Sequence, residues 1–214
     1  MQNFDYGLFY KTLQHEIFIS TDFAASLQKM LAWCEKQNPH ESWKKLQALN
    51  FSAEVSRVEP WLSQTLKRSP CQFPVKAVYF GLGEFEKCRA EYADLYFGLM
   101  GQCDLSDKKS KWFWGDLRHY PDNAYLESIA LEKGGIICSG GGKQKPGLGT
   151  PGLIAFSLSF SALLLKASLN SKIHDLFGSN EPVVISLGFD SGDIINLGHL
   201  QTDGFIVNTG EMFC

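Results

Sequence analysis

Residues 152–169, GLIAFSLSFSALLLKASL, constrain the fold of this chain more than any other stretch. Leu153, Ile154, Phe156, Leu158, Phe160, Leu163, Leu164 and Leu165 leave no polar stripe at either helical or strand spacing. A helix that is apolar all round is buried deep in a core or lies in a membrane. A bilayer asks for roughly 20 apolar residues, and the uninterrupted part here is shorter. Ser157, Ser159, Ser161 and Lys166 dilute it further. Pro151 suits a first helical turn and Thr150 a cap. The expectation is a buried central helix over about 153–169, with no membrane as partner.

The rest of the chain is arranged around that helix. Its length, 214 residues, suits one domain over 1–214. Two short aromatic or β-branched runs, at 4–10 and 16–19, suggest a hairpin. Thr21 then opens a helix whose apolar face is Phe23, Leu27, Met30, Leu31 and Cys34. A second helix follows Asn38-Pro39 and carries Trp43, Leu46 and Leu49, and a third spans 60–67 around Trp61, Leu62 and Leu66. The segment 20–70 therefore reads as a helical N-terminal portion.

The segment 75–214 reads as the sheet-containing portion. Residues 75–80 and 93–97 are strands, the first closed by Gly81-Leu82-Gly83. Asp122 caps a helix over 123–132 that Gly134 and Gly135 stop. Residues 183–187 and 194–197 form a hairpin, and 204–207 a last short strand. Hairpins outnumber βαβ units, so the fold class is α+β with a mostly antiparallel sheet, a helical N-terminal third and a buried central helix.

Charge and composition narrow the partners. A formal charge of −3 gives no basic footprint, which argues against nucleic acid. Aromatic residues make up 13% of the chain, the raw material of protein interfaces as well as of cores. The six cysteines, Cys34, Cys71, Cys88, Cys103, Cys138 and Cys214, are scattered and form no CxxC pair. Reduced thiols in a cytoplasmic protein are expected. The N-terminus lacks the basic-then-apolar pattern of a signal peptide. His15, His40, His119, His174 and His199 show no zinc spacing, so neither metal nor cofactor is expected.

Four stretches carry candidate chemistry. Gly147-Leu148-Gly149-Thr150-Pro151-Gly152 matches G-x-G-x-x-G and precedes a helix. No strand runs into it and no acidic residue follows at the right distance, so a loop is favoured over a phosphate site in 139–152. Cys138 is a candidate nucleophile beside His119, His174 or His199. Asp190 and Asp193 bracket D-S-G-D, whose turn chemistry competes with acid–base or cation-binding work. In Trp112-Phe113-Trp114-Gly115-Asp116, three consecutive aromatics on a strand must point to both faces. At least one then leaves the primary core unless another layer covers it; a strand covered on both sides is favoured over an exposed binding anchor.

The series Trp61-Leu62, VKAVYFGL at 75–82, DLYF at 94–97, Trp112, HYPD at 119–122 and VISLGFDSGD at 184–193 resembles a group of bacterial proteins of the polymorphic-toxin immunity type. Such proteins are often encoded beside contact-dependent toxins. The resemblance covers roughly residues 61–204 and implies a cytosolic antitoxin-like protein, not an enzyme, that binds and neutralises one cognate toxin protein. The expected partner-binding residues are Trp112, Trp114, Asp116, Asp190 and Asp193. Two further readings stand beside it: a small hydrolase or transferase using Cys138 or the Asp190/Asp193 pair, and a phosphate or nucleotide sensor using the 139–152 loop.

Overall fold

The computed structural model describes residues 4–87, 90–104, 117–122, 124–140, 147–190 and 194–209. These residues form seven helices and six strands in an α+β fold. The chain divides into two compact units, each assembled from three separate segments. The first comprises residues 1–55, 83–94 and 127–167, and the second residues 56–82, 95–126 and 168–214.

In the first unit the helices are α1 (Tyr6–Ile19), α2 (Phe23–Gln37), α3 (Glu41–Gln47), α5 (Ile129–Cys138) and most of α6 (Gly149–Ser168). Residues 6–19, read from sequence as a hairpin, are helical. Asp5 caps the Leu8 N–H, and Phe9, Leu13, Glu16 and Ile17 line up on a buried face. That packing at helical spacing outweighs the strand preference of the aromatic runs. α2 buries Phe23, Leu27, Met30, Leu31 and Cys34, the face read from its sequence, and its cap is Asp22 rather than Thr21.

Helix α6 is buried nearly all round, from Leu153 to Leu165. Phe156 and Phe160 stack at 5.8 Å, and Phe160 meets Phe23 at 5.5 Å and Phe51 at 6.1 Å. Among the described helices only α6 is long and apolar enough to cross a membrane, and 72% of its most apolar window is buried within the protein. It is a core helix, as its sequence implies.

The helix expected at 123–132 lies later. α5 begins after Ser128, which caps Leu131, and it runs straight through Gly134 and Gly135. Upstream, burial alternates from Ala124 to Ser128, the period of an extended chain. The two glycines do not end the helix. A Cβ on Gly134 would fall inside the Phe156 ring, and one on Gly135 would lie 2.5 Å from the Tyr92 Cα. They let neighbours approach.

The second unit contains α4 (Val55–Arg68, all but its first residue), α7 (Ser171–Leu176) and most of the sheet. The strands are β1 (Ala77–Lys87), β2 (Ala90–Met100), β3 (Arg118–His119), β4 (Val183–Phe189), β5 (Ile194–Gln201) and β6 (Gly204–Val207), in the order β3-β2-β1-β4-β5-β6. β1 and β2 each cross from one unit's segments to the other's, at 82/83 and 94/95. β4 and β5 pair antiparallel, as do β5 with β6 and β2 with β3. β1 and β4 pair in parallel from Ala77↔Val184 to Leu82↔Phe189, which makes the sheet mixed.

β1 does not close at Gly81-Leu82-Gly83 but continues to Lys87. One side of the sheet is packed by Trp61 of α4, whose ring lies 6.2 Å from Phe80 and 5.3 Å from Phe97. The Trp61 indole donates to the Ala124 carbonyl at 3.1 Å. Because side chains alternate along a strand, Tyr79, Gly81, Tyr96 and Gly98 occupy the other side.

Candidate functional site

That other side of β1, β2 and β4 carries the most distinctive arrangement among the described residues. β1 and β2 each contain the triplet Tyr-Phe-Gly, at 79–81 and 96–98. Phe80 and Phe97 serve the Trp61 core, while each Tyr-x-Gly pair faces away from it. The Tyr96 ring lies over Gly81, where any Cβ would come far closer than 3.0 Å to its ring atoms. The Tyr120 ring lies over Gly98 in the same way. Each ring thus fills the gap a glycine leaves on a strand.

Tyr96 is the hub. Its centroid is 6.1 Å from Tyr79, 6.3 Å from Tyr120 and 5.6 Å from Tyr125. Its hydroxyl donates to the Asp190 carboxylate, just past the end of β4. The Tyr79 hydroxyl donates to the Gly188 carbonyl at 3.1 Å. Ala77, Met100 and Val184 complete a small apolar cluster with Tyr79. Tyr79 is buried, Tyr96 half-buried, and Tyr120 and Tyr125 are 40% and 43% exposed.

The electrostatics follow from this packing. Burial pushes the Tyr79 hydroxyl up from the ordinary tyrosine range, and the Asp190 charge adds to the effect. Burial also raises Tyr96, reinforced by its hydrogen bond to Asp190. Tyr120 is raised by burial, lowered by Arg118 and raised by Asp190. All three phenols stay neutral at physiological pH. The site is a rigid aromatic floor with a fixed carboxylate at its edge, a hydrogen bond to a charged acceptor being stronger than one between neutral groups.

Of the residues singled out from sequence, Asp190 belongs to this site. Trp112, Trp114, Asp116 and Asp193 lie outside the described residues. The four tyrosines were missed as site residues, although the repeated Tyr-Phe-Gly triplet was a usable signal: aromatic and glycine two apart share a strand face.

The other candidate chemistry has structural explanations where it is described. Cys138 is fully buried, and burial, then the neighbouring Cys34, push its thiol up from the usual range. A nucleophilic thiol needs the opposite shift. In the 139–152 segment, Gly147 sits against the Cys138 carbonyl and Gly152 against Leu148, so both serve close packing. Ser139 donates to the Glu91 carbonyl at 2.7 Å and closes one end of the loop. Residues 141–146 lie outside the described residues.

A cavity of about 460 Å³ opens in the second unit between Leu66, Pro70, Cys71, Phe73, Leu99 and Phe177. Near it, His119 Nε2 lies 3.1 Å from Ser69 Oγ and 3.0 Å from the Ser69 carbonyl oxygen. A carbonyl only accepts, so Nε2 carries the proton and cannot take one from the hydroxyl. The pair secures a carbonyl beyond the end of α4 and is not a nucleophile with its base. Among the described residues no group of three or more His, Cys, Asp and Glu is placed to hold a metal ion.

Fold and site together define an α+β protein with a mixed six-stranded sheet and an acid-edged tyrosine face. Comparison with protein-family models, with curated proteins and with solved structures finds no match in any of the three.

Proposed function

We propose that this chain is a cytosolic antitoxin-like binding protein that neutralises a cognate toxin domain by covering it, with the tyrosine face and Asp190 as part of the interface. The observation that carries the reading is the preordered surface itself. Rings seated over glycines present exposed Tyr120 and Tyr125 beside a carboxylate already fixed by Tyr96. Tyrosine gives large contact area at low entropic cost, and charged groups at the rim supply specificity and association rate. The alternative thiol chemistry is disfavoured by the burial of Cys138.

The test is to look for a toxin domain encoded beside this gene and to co-express the two. The chain should restore growth and co-purify with that domain as a stable complex. Failure of both rescue and binding removes the reading. Turnover of a substrate by the purified chain, lost in Asp190→Asn, would replace binding with catalysis.

A further inference from the structure

We propose that the tyrosine face receives a cationic side chain, arginine or lysine, from the protein it binds, seated on Tyr120 and Tyr125 and paired with Asp190. This rests on the binding reading above and specifies the chemistry of the partner. Asp190 is exposed, its hydrogen bond from Tyr96 comes from a neutral donor, and it makes no ion pair among the described residues. Any partner that covers this face takes that carboxylate out of water. One neutral donor does not compensate a buried carboxylate, so an apolar or anionic partner would pay the full desolvation cost. A cation paired with the carboxylate offsets that cost.

The rings favour the same occupant. Tyr120 and Tyr125 tilt around Tyr96 at 50° and 61° and remain two-fifths exposed. Tyrosine faces attract ammonium and guanidinium groups within about 6 Å of the ring centre. The tyrosines hold their protons, so Asp190 supplies the negative charge. The other charge acting on Tyr120 is exposed Arg118. It lies on β3, whereas Asp190 follows β4, and β2 and β1 run between those strands. The two charges bracket the rings, so a partner's cation is directed to the β4 side. The net charge of −3 adds long-range attraction for a basic partner.

The experiment uses the full chain and three blocked tripeptides: Gly-Arg-Gly, Gly-Lys-Gly and the uncharged isostere Gly-citrulline-Gly. Binding is followed by the NMR signals of the tyrosine rings. The arginine or lysine peptide, or both, should shift these rings saturably, and the citrulline peptide should not. Asp190→Asn should weaken binding about tenfold, Tyr120→Ala should also weaken it, and Asp203→Asn, which removes an exposed charge elsewhere, should leave it unchanged. All variants are first checked for native circular dichroism. Equal binding of the citrulline peptide, or an unchanged response in folded Asp190→Asn, overturns the proposal. A toxin bound equally well by wild type and Asp190→Asn also overturns it while leaving the binding function intact. Asp190-dependent peptide binding without any toxin binding removes the antitoxin reading and keeps the cation site.

Discussion

The Tyr96 ring occupies the space in which Gly81 would carry a side chain, and from there its hydroxyl reaches Asp190, 94 residues further along the chain. A glycine on one strand thereby sets the position of a carboxylate at the end of another. In the antitoxin reading, this relationship is what gives the face its order before any partner arrives.

Gly81→Ala tests it directly. Alanine is ordinarily the better strand residue by about 0.5–1 kcal/mol. Here its Cβ collides with a ring held on both sides, and overpacking of this kind costs about 1–3 kcal/mol. Chemical denaturation should show a net loss of stability. The loss should shrink sharply in the Gly81→Ala/Tyr96→Ala double variant, because the two residues share one space.

The helical glycines of α5 give a second comparison. Helix propensity alone favours alanine over glycine by about 1 kcal/mol. Gly134→Ala meets the Phe156 side chain, whereas Gly135→Ala meets the backbone of Tyr92. A side chain can shift and a strand backbone cannot shift cheaply, so thermal unfolding should show both variants destabilised and Gly135→Ala the more so.

Ser157, Ser159 and Ser161 lie buried in α6 with hydroxyls that make no hydrogen bond among the described residues. Removing an unsatisfied buried hydroxyl recovers its desolvation cost, and alanine is the better helix former. Ser161→Ala should therefore raise stability by about 1 kcal/mol, visible as a higher denaturation midpoint with an unchanged slope. A loss of stability would mean that the hydroxyl has a partner in solution.

The tyrosine cluster predicts an alkaline limit. The unfolded chain releases tyrosine protons from about pH 10, while Tyr79, Tyr96 and Tyr120 hold theirs to higher pH in the folded protein. Their contribution is complete below the unfolded value and is lost as pH rises through the folded values. Stability measured at about pH 8 and about pH 11 should fall. Tyr79→Phe should reduce the slope between them.

Thiol reactivity should separate the cysteines by burial. Cys34 is pushed up to about 12 and Cys138 is also raised, both by burial. Cys71 is raised by burial too, with backbone hydrogen bonds opposing the shift, but it is only half-buried, as is Cys103. Alkylation of the native protein followed by mass mapping should label Cys71 and Cys103 well before Cys34 and Cys138. Unfolding without reductant should release all six thiols.

The sequence by itself determined those elements whose apolar pattern has a single solution. The face of α2 from Phe23 to Cys34 has one period, and α6 is too apolar all round to lie on a protein surface. β4 and β6 were legible as short apolar runs between turn residues. Local pattern failed where a glycine or aromatic run has two readings. Gly81, Gly134 and Gly135 read as punctuation, yet each lies inside a regular element because a ring or a strand from far along the chain needs its space. The run from Phe4 to Ile19 has strand-forming residues but is helical, since Asp5 caps it and Phe9, Leu13 and Ile17 find a core at helical spacing. The site shows the same division. Asp190 was visible as an acid beside a turn, whereas its partnership with Tyr96 depends on the parallel pairing of β1 with β4. That pairing joins residues more than 100 positions apart, and a contact across such a loop is decided by the packing of the whole sheet, not by any window of sequence.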